Sequence, residues 1–353
     1  MKEKKTGSSG LQTALKALCI VLGVVLVLLL GTTVYVEHLL NKMNYVDPNA
    51  PHQVLSQEEI DAIDAELLEP ELEEEEFTGP ELDDSEVDLG DGADVIIGGD
   101  GIVNILLIGQ DAREGGRARS DSMILCTFNL DSNTLTMTSF MRDLYVSIPG
   151  YKNSRINASY AYGGMNLLSD TLYENFGVVV DGCVEVDFTH FKEIIDLLGG
   201  VEVELTAREV HYLQEEAPGT DVEVGWNVLS GDEALVHARN RRDVDGDFSR
   251  TNRQRELLMA LVEEYKSADL TTMLVLLEEI LPMITTDMTK DQIFTYAKEL
   301  FPLLLNCDIV TQGIPVAGGY YDAKIDGAAV LVPYMDVNIQ ALMDSLVGDE
   351  GVG

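Results

Sequence analysis

Six of the chain's 23 basic side chains lie within residues 237–255, HARNRRDVDGDFSRTNRQR, and all six are arginines. The chain as a whole carries a formal net charge of −39. A planar guanidinium group matches two oxygens of a phosphate at once, which a lysine ammonium group does not. The run therefore predicts a local anion-binding site. The alternative is a solvated basic face paired with neighbouring acids.

A helix is expected over residues 250–265, and it would begin near the middle of this run. On that helix Arg250, Arg253 and Gln254 lie at positions i, i+3 and i+4, which share one face. Anions are also favoured near the N-terminus of a helix. Arg239 and Arg241 precede the helix, and we expect them to face the same anion.

The other two arginines of the run, Arg242 and Arg255, are expected at the surface. Asp247 stands among the arginines and should remain ionised, because nearby positive charges favour a carboxylate. Three roles stay open for it: a general base, a metal ligand or an orienting partner. His237 is expected to have a structural role, because the sequence offers no evident Ser or Cys partner for it.

Two aspartates stand at the ends of predicted strands in the first part of the folded region. Asp111 comes three residues after the apolar run 103–108, and Asp121 stands where the next strand begins. Ligands of open α/β sheets bind beyond the carboxyl ends of the strands. A pair of carboxylates with phosphate oxygens is a usual Mg²⁺ environment, so the pair predicts a metal site, with turn and cap aspartates as the alternative.

Further arginines stand near predicted strand ends: Arg119 two residues before Asp121, and Arg142 within SFMRDLYV. An isolated Arg–Asp surface pair such as Arg142–Asp143 is common and contributes little stability. These arginines can contribute to anion binding only if the fold brings them to the anion site.

Elements that alternate between apolar strands and amphipathic helices must position these side chains. Residues 103–108 read as a buried central strand, and residues 123–130 and 135–140 read as a hairpin joined by turn-forming residues. Helical spacing follows at 166–176, 188–198, 230–237 and 289–300, with strands at 201–205 and 309–315. The pattern predicts a three-layer α/β/α sandwich with a central mixed sheet.

The N-terminal part predicts a membrane anchor and a linker. Residues 1–16 carry four lysines, residues 17–36 are uncharged and apolar, and Glu37 follows. A helix of this length spans about 30 Å, and the positive-inside rule places the N-terminus in the cytoplasm. Residues 37–101 are acidic and read as an extended extracytoplasmic linker with a short helix at 56–68. The folded domain is expected over 102–348.

Composition sets limits on function. With 62 acidic residues against 23 basic ones, the overall field disfavours nucleic acid. Cys126, Cys183 and Cys307 lie in the folded part without a metal-ligand spacing, and we interpret them as core residues.

Several motifs, in this order, closely resemble those of the LytR-CpsA-Psr proteins over about residues 103–262. They are NILLIGQDAR, RSDSMIL, SFMRDLYV, RINASYAYGG and LSGDEALVHARNRRDVDGDFSRTNRQRELL. The short tail, the single span and the outer domain also match that family. One departure is the family's usual RQQ, which here reads Arg253-Gln254-Arg255.

The resemblance implies a phosphotransferase that attaches a glycan polymer (teichoic acid, capsule or similar) from a polyprenyl-pyrophosphate carrier to peptidoglycan at the cell membrane. It implies Mg²⁺ bound by Asp111 and Asp121, and Asp247 as the catalytic acidic residue. It assigns Arg119 and Arg142 to catalysis as well as to binding. The pyrophosphate-binding residues it implies are Arg119, Arg142, Arg239, Arg241, Arg250, Arg253 and Gln254.

Two other functions stay open at the level of sequence. One is a non-catalytic module that senses lipid-linked wall precursors, which would need only the arginines. The other is a hydrolase that cleaves the carrier pyrophosphate without an acceptor. The acidic residues Asp111, Asp121 and Asp247 favour transfer over simple binding.

Overall fold

The computed structural model describes residues 34–50, 55–67, 77, 79–90, 92–111, 119–242, 246–267, 270–304 and 306–347. The strands, numbered in chain order, are β1 Asn44–Tyr45, β2 Glu81–Leu82, β3 Ile102–Asp111, β4 Arg119–Asn129, β5 Thr134–Phe140, β6 Tyr145–Val146, β7 Ser154–Arg155, β8 Gly182–Asp187, β9 Val201–Leu205, β10 Gly225–Leu229, β11 Thr285–Thr286, β12 Asp308–Ile314, β13 Tyr320–Ile325 and β14 Ala328–Pro333.

The α-helices that have both ends within the described residues are numbered in the same way. They are α1 Gln57–Leu67, α2 Ile156–Phe176, α3 Phe188–Leu198, α4 Ala207–Glu216, α5 Gly231–Arg239, α6 Gly246–Ser267, α7 Leu270–Ile280, α8 Lys290–Leu304 and α9 Met335–Val347.

The central sheet contains seven strands in the order β1-β11-β8-β3-β4-β5-β12. The β3–β4 and β4–β5 pairs are antiparallel. Strands β8 and β12 run parallel to β3 and β5, respectively. The expectation of a central mixed sheet is therefore confirmed, and the long strands β3 and β4 lie at its middle.

Apolar side chains cover both faces of this sheet, because successive residues of a strand point to opposite sides. On one face Leu106 and Ile108 join a buried cluster with Leu168 of α2. On the other face Val103 joins a cluster with Leu300 of α8. Helices thus pack on both faces, as the alternation of elements predicts.

A third buried cluster holds the long helix α6 in place. It is formed by residues of α3, β9, α4, β10 and α5, and Leu257 of α6 belongs to it. The next residue, Leu258, instead packs against the cluster on the sheet. Because two cores hold the middle of α6, its first turns are fixed relative to the ends of β4 and β5.

Most predicted elements of the domain are found, some with different bounds. The predicted elements 188–198 and 201–205 agree with α3 and β9 at both ends. The predicted helix at 166–176 begins ten residues earlier, at Ile156, and bends at Gly164, whose φ is +67°. The elements α4, α7, β13 and β14 have no counterpart among the predicted helices and strands.

The expectation of an extended acidic linker over 37–101 does not hold for several of its described parts. Strand β1 joins the edge of the central sheet, and β2 pairs with β13. Helix α1 buries Ile63, which is 8% exposed, and Tyr162 donates a hydrogen bond to Asp64 on the same helix. The average composition of the segment is dominated by its acidic runs and conceals these apolar residues.

The short helix predicted at 56–68 is found at Gln57–Leu67, and Ser56 and Glu59 form a capping box at its start. The Ser56 backbone N–H donates to a Glu59 carboxylate oxygen at 2.8 Å, and the Glu59 N–H donates to Ser56 Oγ at 3.3 Å. Of the predicted membrane span at 17–36, residues 17–33 lie outside the described residues. No helix in the described part of the chain is long and apolar enough to cross a membrane.

Candidate functional site

The site begins at one end of the antiparallel pair β3–β4, the central hairpin of the sheet. A bulge shifts the register between Gly109 and Gln110, and beyond it Asp111 of β3 pairs with Arg119 of β4. Bulges re-aim side chains beside functional sites. Here Asp111 lies close enough to Asp121 for its charge to add to burial in raising the pKa of Asp121.

Arg142 follows β5 and contacts carboxylates from three segments of the chain. Its Nη1 lies 3.2 Å from Asp121 Oδ1, and its Nε lies 3.4 Å from Asp143 Oδ2 and 3.9 Å from Asp247 Oδ2. The residue is only 6% exposed, and burial lowers the pKa of Arg142 to about 10. It stays protonated near neutral pH and ties the end of the hairpin to α6.

The first turn of α6 supplies the centre of the cluster. Asp247 Oδ1 lies 3.3 Å from Arg241 Nε and 3.1 Å from Arg250 Nη1. With Arg142 on its other oxygen, this carboxylate is surrounded by three guanidinium groups.

Arg250 differs from its neighbours in how its charge is compensated. It is 2% exposed, and none of its three guanidinium nitrogens has a hydrogen-bond acceptor among the described residues. Its contact with Asp247 is a charge contact without hydrogen-bond geometry. A buried guanidinium with unused donors is costly unless an acceptor is supplied. A bound anion would supply one.

Asp143 and Arg155 extend the cluster, although the sequence indicates only a weak Arg142–Asp143 pair and Arg155 as an additional donor nearby. Arg155 Nη1 lies 3.3 Å from Asp143 Oδ1. Burial by itself raises the pKa of Asp143, but Arg142, Arg155 and Arg250 hold it below its usual value. The signal available in the sequence was the position of Asp143 directly after a buried strand end.

The pKa of Asp121 is shifted in the opposite direction to that of Asp143. Burial, assisted by the charge of Asp111, raises the pKa of Asp121, although Arg250, Arg241 and Arg239 oppose the rise. Gln110 Oε1 and Ser120 Oγ, which belong to the residues next to Asp111 and Asp121 in the sequence, are buried without a hydrogen-bond partner among the described residues. The end of the hairpin thus holds oxygen atoms that a cation or a hydroxyl donor would satisfy.

Comparison with known proteins places this chain in a family. A profile of the LytR_cpsA_psr family matches residues 76–337 of the chain. The chain belongs to the LytR-CpsA-Psr family. The resemblance seen in the motifs is confirmed, and the match extends beyond them into the region first interpreted as a linker.

Relatives within the LytR-CpsA-Psr family carry two kinds of name. The regulatory protein MsrR of Staphylococcus aureus (strain COL) is 32% identical over 253 residues, which cover 71% of this chain and 76% of MsrR. The polyisoprenyl-teichoic acid–peptidoglycan teichoic acid transferase TagT of Bacillus subtilis (strain 168) is 32% identical over 259 residues, covering 70% and 77%.

Solved structures of TagT share the fold of this chain. TagT bound to LIIa-WTA is 29% identical with a TM-score of 0.59, and the match covers 74% of this chain and 97% of that one. TagT with bound octaprenyl pyrophosphate lipid is 26% identical with a TM-score of 0.56, covering 75% and 99%. The mixed α/β fold with a central mixed sheet is thus the fold of this family.

Of the ten residues assigned by family resemblance, five are joined by ion pairs in the described structure. Asp121, Arg142, Arg241, Asp247 and Arg250 form the connected cluster. Arg239 ends α5 with its guanidinium carbon 5.3 Å from the centre of the Phe188 ring. Its charge still reaches Asp121, since it opposes the rise in the pKa of that group that burial causes.

Arg253 departs from its predicted role. Its Nε lies 2.7 Å from Glu209 Oε1, and its Nη1 donates to the carbonyl oxygen of Asn240 at 2.8 Å. The residue is 3% exposed and holds α4 and the end of α5 against α6. Because these acceptors are fixed protein atoms, we assign Arg253 a structural role instead of phosphate binding. The next residue, Gln254, has a buried Oε1 without a hydrogen-bond partner among the described residues.

The two arginines expected at the surface behave differently. Arg242 is exposed and pairs with Glu215 and Glu216, so that prediction is confirmed. The prediction for Arg255 is wrong, because it is 5% exposed and donates to Ser139 Oγ at the end of β5. Its position on the inner face of α6 decides this, and the sequence alone did not show which face that was.

His237 is 2% exposed at the end of α5, in agreement with a structural role. Burial lowers the pKa of His237 to about 4, with Glu209 opposing this and Arg253 reinforcing it. It is therefore neutral near pH 7.

The arrangement as a whole can bind an anion and hold a carboxylate beside it. Arg142, Arg241 and Arg250 present positive charge at a protein interior, where electrostatic interactions are strong. For a metal ion, Asp111 and Asp121 are the available carboxylate pair. Within the described residues no group of three or more His, Cys, Asp or Glu side chains could hold a metal. Any divalent ion there would need oxygens from its substrate.

Proposed function

We propose that this protein is a phosphotransferase that moves a glycan polymer from a polyprenyl-pyrophosphate carrier to peptidoglycan. The proposal rests on the guanidinium of Arg250. It is buried beside Asp247 and lacks a hydrogen-bond acceptor among the described residues. A diphosphate supplies several charged acceptors to such a group. Membership of the family and the name of its relative TagT support the same reaction.

In this reaction the oxygen of an acceptor hydroxyl bonds to the phosphorus next to the glycan. The P–O–P bridge breaks, and the carrier leaves as a prenyl monophosphate. Arg142, Arg241 and Arg250 stabilise the negative charge that develops on the phosphate oxygens, which typically contributes about 3–4 kcal/mol per donor. Asp247 takes the proton from the hydroxyl, as a positioned carboxylate can.

Mg²⁺ fits the pair Asp111 and Asp121. Burial and the charge of Asp111 raise the pKa of Asp121, so its ionised form is costly, and a cation held by the two residues would offset that cost. Two carboxylates plus phosphate oxygens suit the octahedral preference of Mg²⁺. When bound, the ion would neutralise part of the diphosphate charge. Arg119, opposite Asp111 in the sheet, adds a positive charge at this end.

A transfer assay with the full chain tests the proposal. A lipid-linked glycan donor and peptidoglycan are mixed with the protein and Mg²⁺, and peptidoglycan-bound glycan and released prenyl phosphate are measured. We expect Arg250→Ala and Asp111→Ala to lower the rate about 10²–10³-fold. Full activity of both variants would contradict the proposal.

A purely regulatory role is the second candidate, because the relative MsrR is named a regulatory protein. The same assay separates the two. Tight donor binding without turnover, with Mg²⁺ and acceptor present, would favour regulation. Equal release of prenyl phosphate with and without acceptor would instead indicate a hydrolase.

We also infer that residues 17–36 anchor the chain in the cell membrane, with its N-terminus in the cytoplasm and the domain outside. The support is the uncharged apolar run and the lysines that precede it. Protease added outside intact cells should digest the domain and spare an N-terminal tag. A domain that resists digestion until the cells are lysed would overturn this inference.

A further inference from the structure

A cavity of about 750 Å³ lies next to the arginine cluster and shares two of its carboxylates, Asp143 and Asp247. Cavities of about 300–1,000 Å³ are typical of sites for small molecules. The cavity is bounded by the start of α6, by the chain that follows β12 and by the β13–β14 hairpin. Asp247 therefore stands between two regions, one rich in guanidinium groups and one formed by this cavity.

The charge of the cavity differs from that of the arginine cluster. Its described lining contains three carboxylates, those of Asp143, Asp247 and Asp322, and a single basic residue, Arg255. The guanidinium of Arg255 already donates to Ser139 and to Asn252. An anionic group is thus disfavoured here, whereas ionised carboxylates readily accept hydrogen bonds from hydroxyl groups.

Aromatic rings line the cavity as well. The rings of Phe248 and Tyr320 lie 5.5 Å apart between centroids, with 30° between their planes. Phe77, also in the lining, is 40% exposed. Flat apolar surfaces beside carboxylates suit a ligand with apolar C–H faces and hydroxyl groups at its rim. An uncharged sugar has both features.

We propose that this cavity binds a neutral sugar of the acceptor glycan and presents its hydroxyl group to Asp247. The inference rests on the proposed transfer and adds where its second substrate lies. The reacting hydroxyl must contact the base, and the cavity is the region beside Asp247 that the phosphate-binding arginines do not line. The hydroxyl proton passes to Asp247 as the new O–P bond forms and the bridge to the carrier phosphate breaks.

The test uses the full chain in detergent, a lipid-linked donor with a short glycan, and a soluble oligomer of N-acetylated peptidoglycan sugars as acceptor. Initial rates are measured against each substrate. We expect Tyr320→Ala to raise the acceptor KM about tenfold and to leave the donor KM within about twofold. Asp322→Asn, a conservative change at an exposed residue, should raise the acceptor KM about threefold.

Tyr334→Ala is the matched control. Tyr334 belongs to another aromatic pair next to the same hairpin, with Tyr321 at 5.7 Å, but it does not line the cavity. Its loss should leave both KM values unchanged. A rise in acceptor KM that is equal in Tyr334→Ala and Tyr320→Ala would overturn the proposal, because it would reflect general damage to the hairpin.

Three further outcomes decide the matter. If the wild type transfers glycan but both cavity variants keep its acceptor KM, the acceptor binds elsewhere and only this inference fails. A rise in donor KM alone would assign the cavity to the donor and would also overturn it. If the wild type shows no transfer, the proposed function fails. Binding of the oligomer by saturation-transfer NMR then decides: loss in Tyr320→Ala supports the cavity, and unchanged binding overturns it.

Discussion

Two buried arginines of α6, Arg250 and Arg253, differ in whether the protein supplies hydrogen-bond acceptors for their guanidinium groups. They are 2% and 3% exposed, respectively. Arg253 is satisfied by Glu209 and by a backbone carbonyl, whereas Arg250 has no hydrogen-bond acceptor among the described residues. Binding sites often keep such unsatisfied groups, and stability is lower as a result.

Replacement of each arginine by Met should therefore change stability in opposite directions. Arg250→Met should raise the ligand-free free energy of unfolding by about 1–4 kcal/mol, because Asp247 keeps Arg142 and Arg241. Arg253→Met should lower it by about 3–5 kcal/mol, because Glu209 would remain as an uncompensated buried charge. Urea unfolding measures both. A similar loss of stability in the two variants would contradict this account of Arg250.

His237 predicts a dependence of stability on pH. Burial lowers its pKa from 6.5 to about 4 in the folded protein. Between these values the unfolded chain binds more protons, so the free energy of unfolding falls as the pH falls, by up to about 1.4 kcal/mol per pH unit from this group. Above pH 6.5 the contribution is complete.

The free energy of unfolding, measured by urea unfolding from pH 7 to pH 4.5, should depend less steeply on pH for His237→Gln than for the wild type. His211→Gln is the control, because the His211 side chain is 75% exposed. If the free energy of unfolding changes equally with pH in His237→Gln and in the wild type, the pKa of His237 is not lowered in the folded protein.

At the scale of the element, helix α1 shows that part of the acidic N-terminal region belongs to the domain. Ile63 is 8% exposed and packs with the cluster under the central sheet. Ile63→Ala should lower the free energy of unfolding by about 2–5 kcal/mol, as buried Ile-to-Ala changes do. The control Glu58→Gln changes an exposed position of the same helix. A solvated spacer would instead give no effect for either variant.

Helix α6 is the element that decides the site. Its register puts Arg250 at the cluster, Arg253 against Glu209 and Arg255 against Ser139. The sequence predicted the helix and the shared face of Arg250 and Arg253 from spacing alone. It did not predict that Arg255 is buried, because which side of a helix faces the core depends on the elements packed around it.

At the scale of the whole molecule, the site forms where the ends of β3, β4 and β5 meet the start of α6. The carboxylates and arginines come from positions as far apart as Asp121 and Arg250, yet they touch through Arg142 and Asp247. Apolar clusters on both faces of the sheet hold these elements in place. The cavity beside Asp247 adds the β13–β14 hairpin to the site, from a region to which the sequence assigned no function.

The sequence by itself determined the class of the fold, the family and most of the charged residues at the site. Those features follow from local patterns, such as periodic apolar residues and motifs of contiguous residues. Only the tertiary structure separated Arg250 from Arg253, buried Arg255, brought Asp143 to the cluster and folded part of the acidic segment onto the domain. These outcomes depend on contacts between distant segments, which residue types and spacing along the chain do not specify.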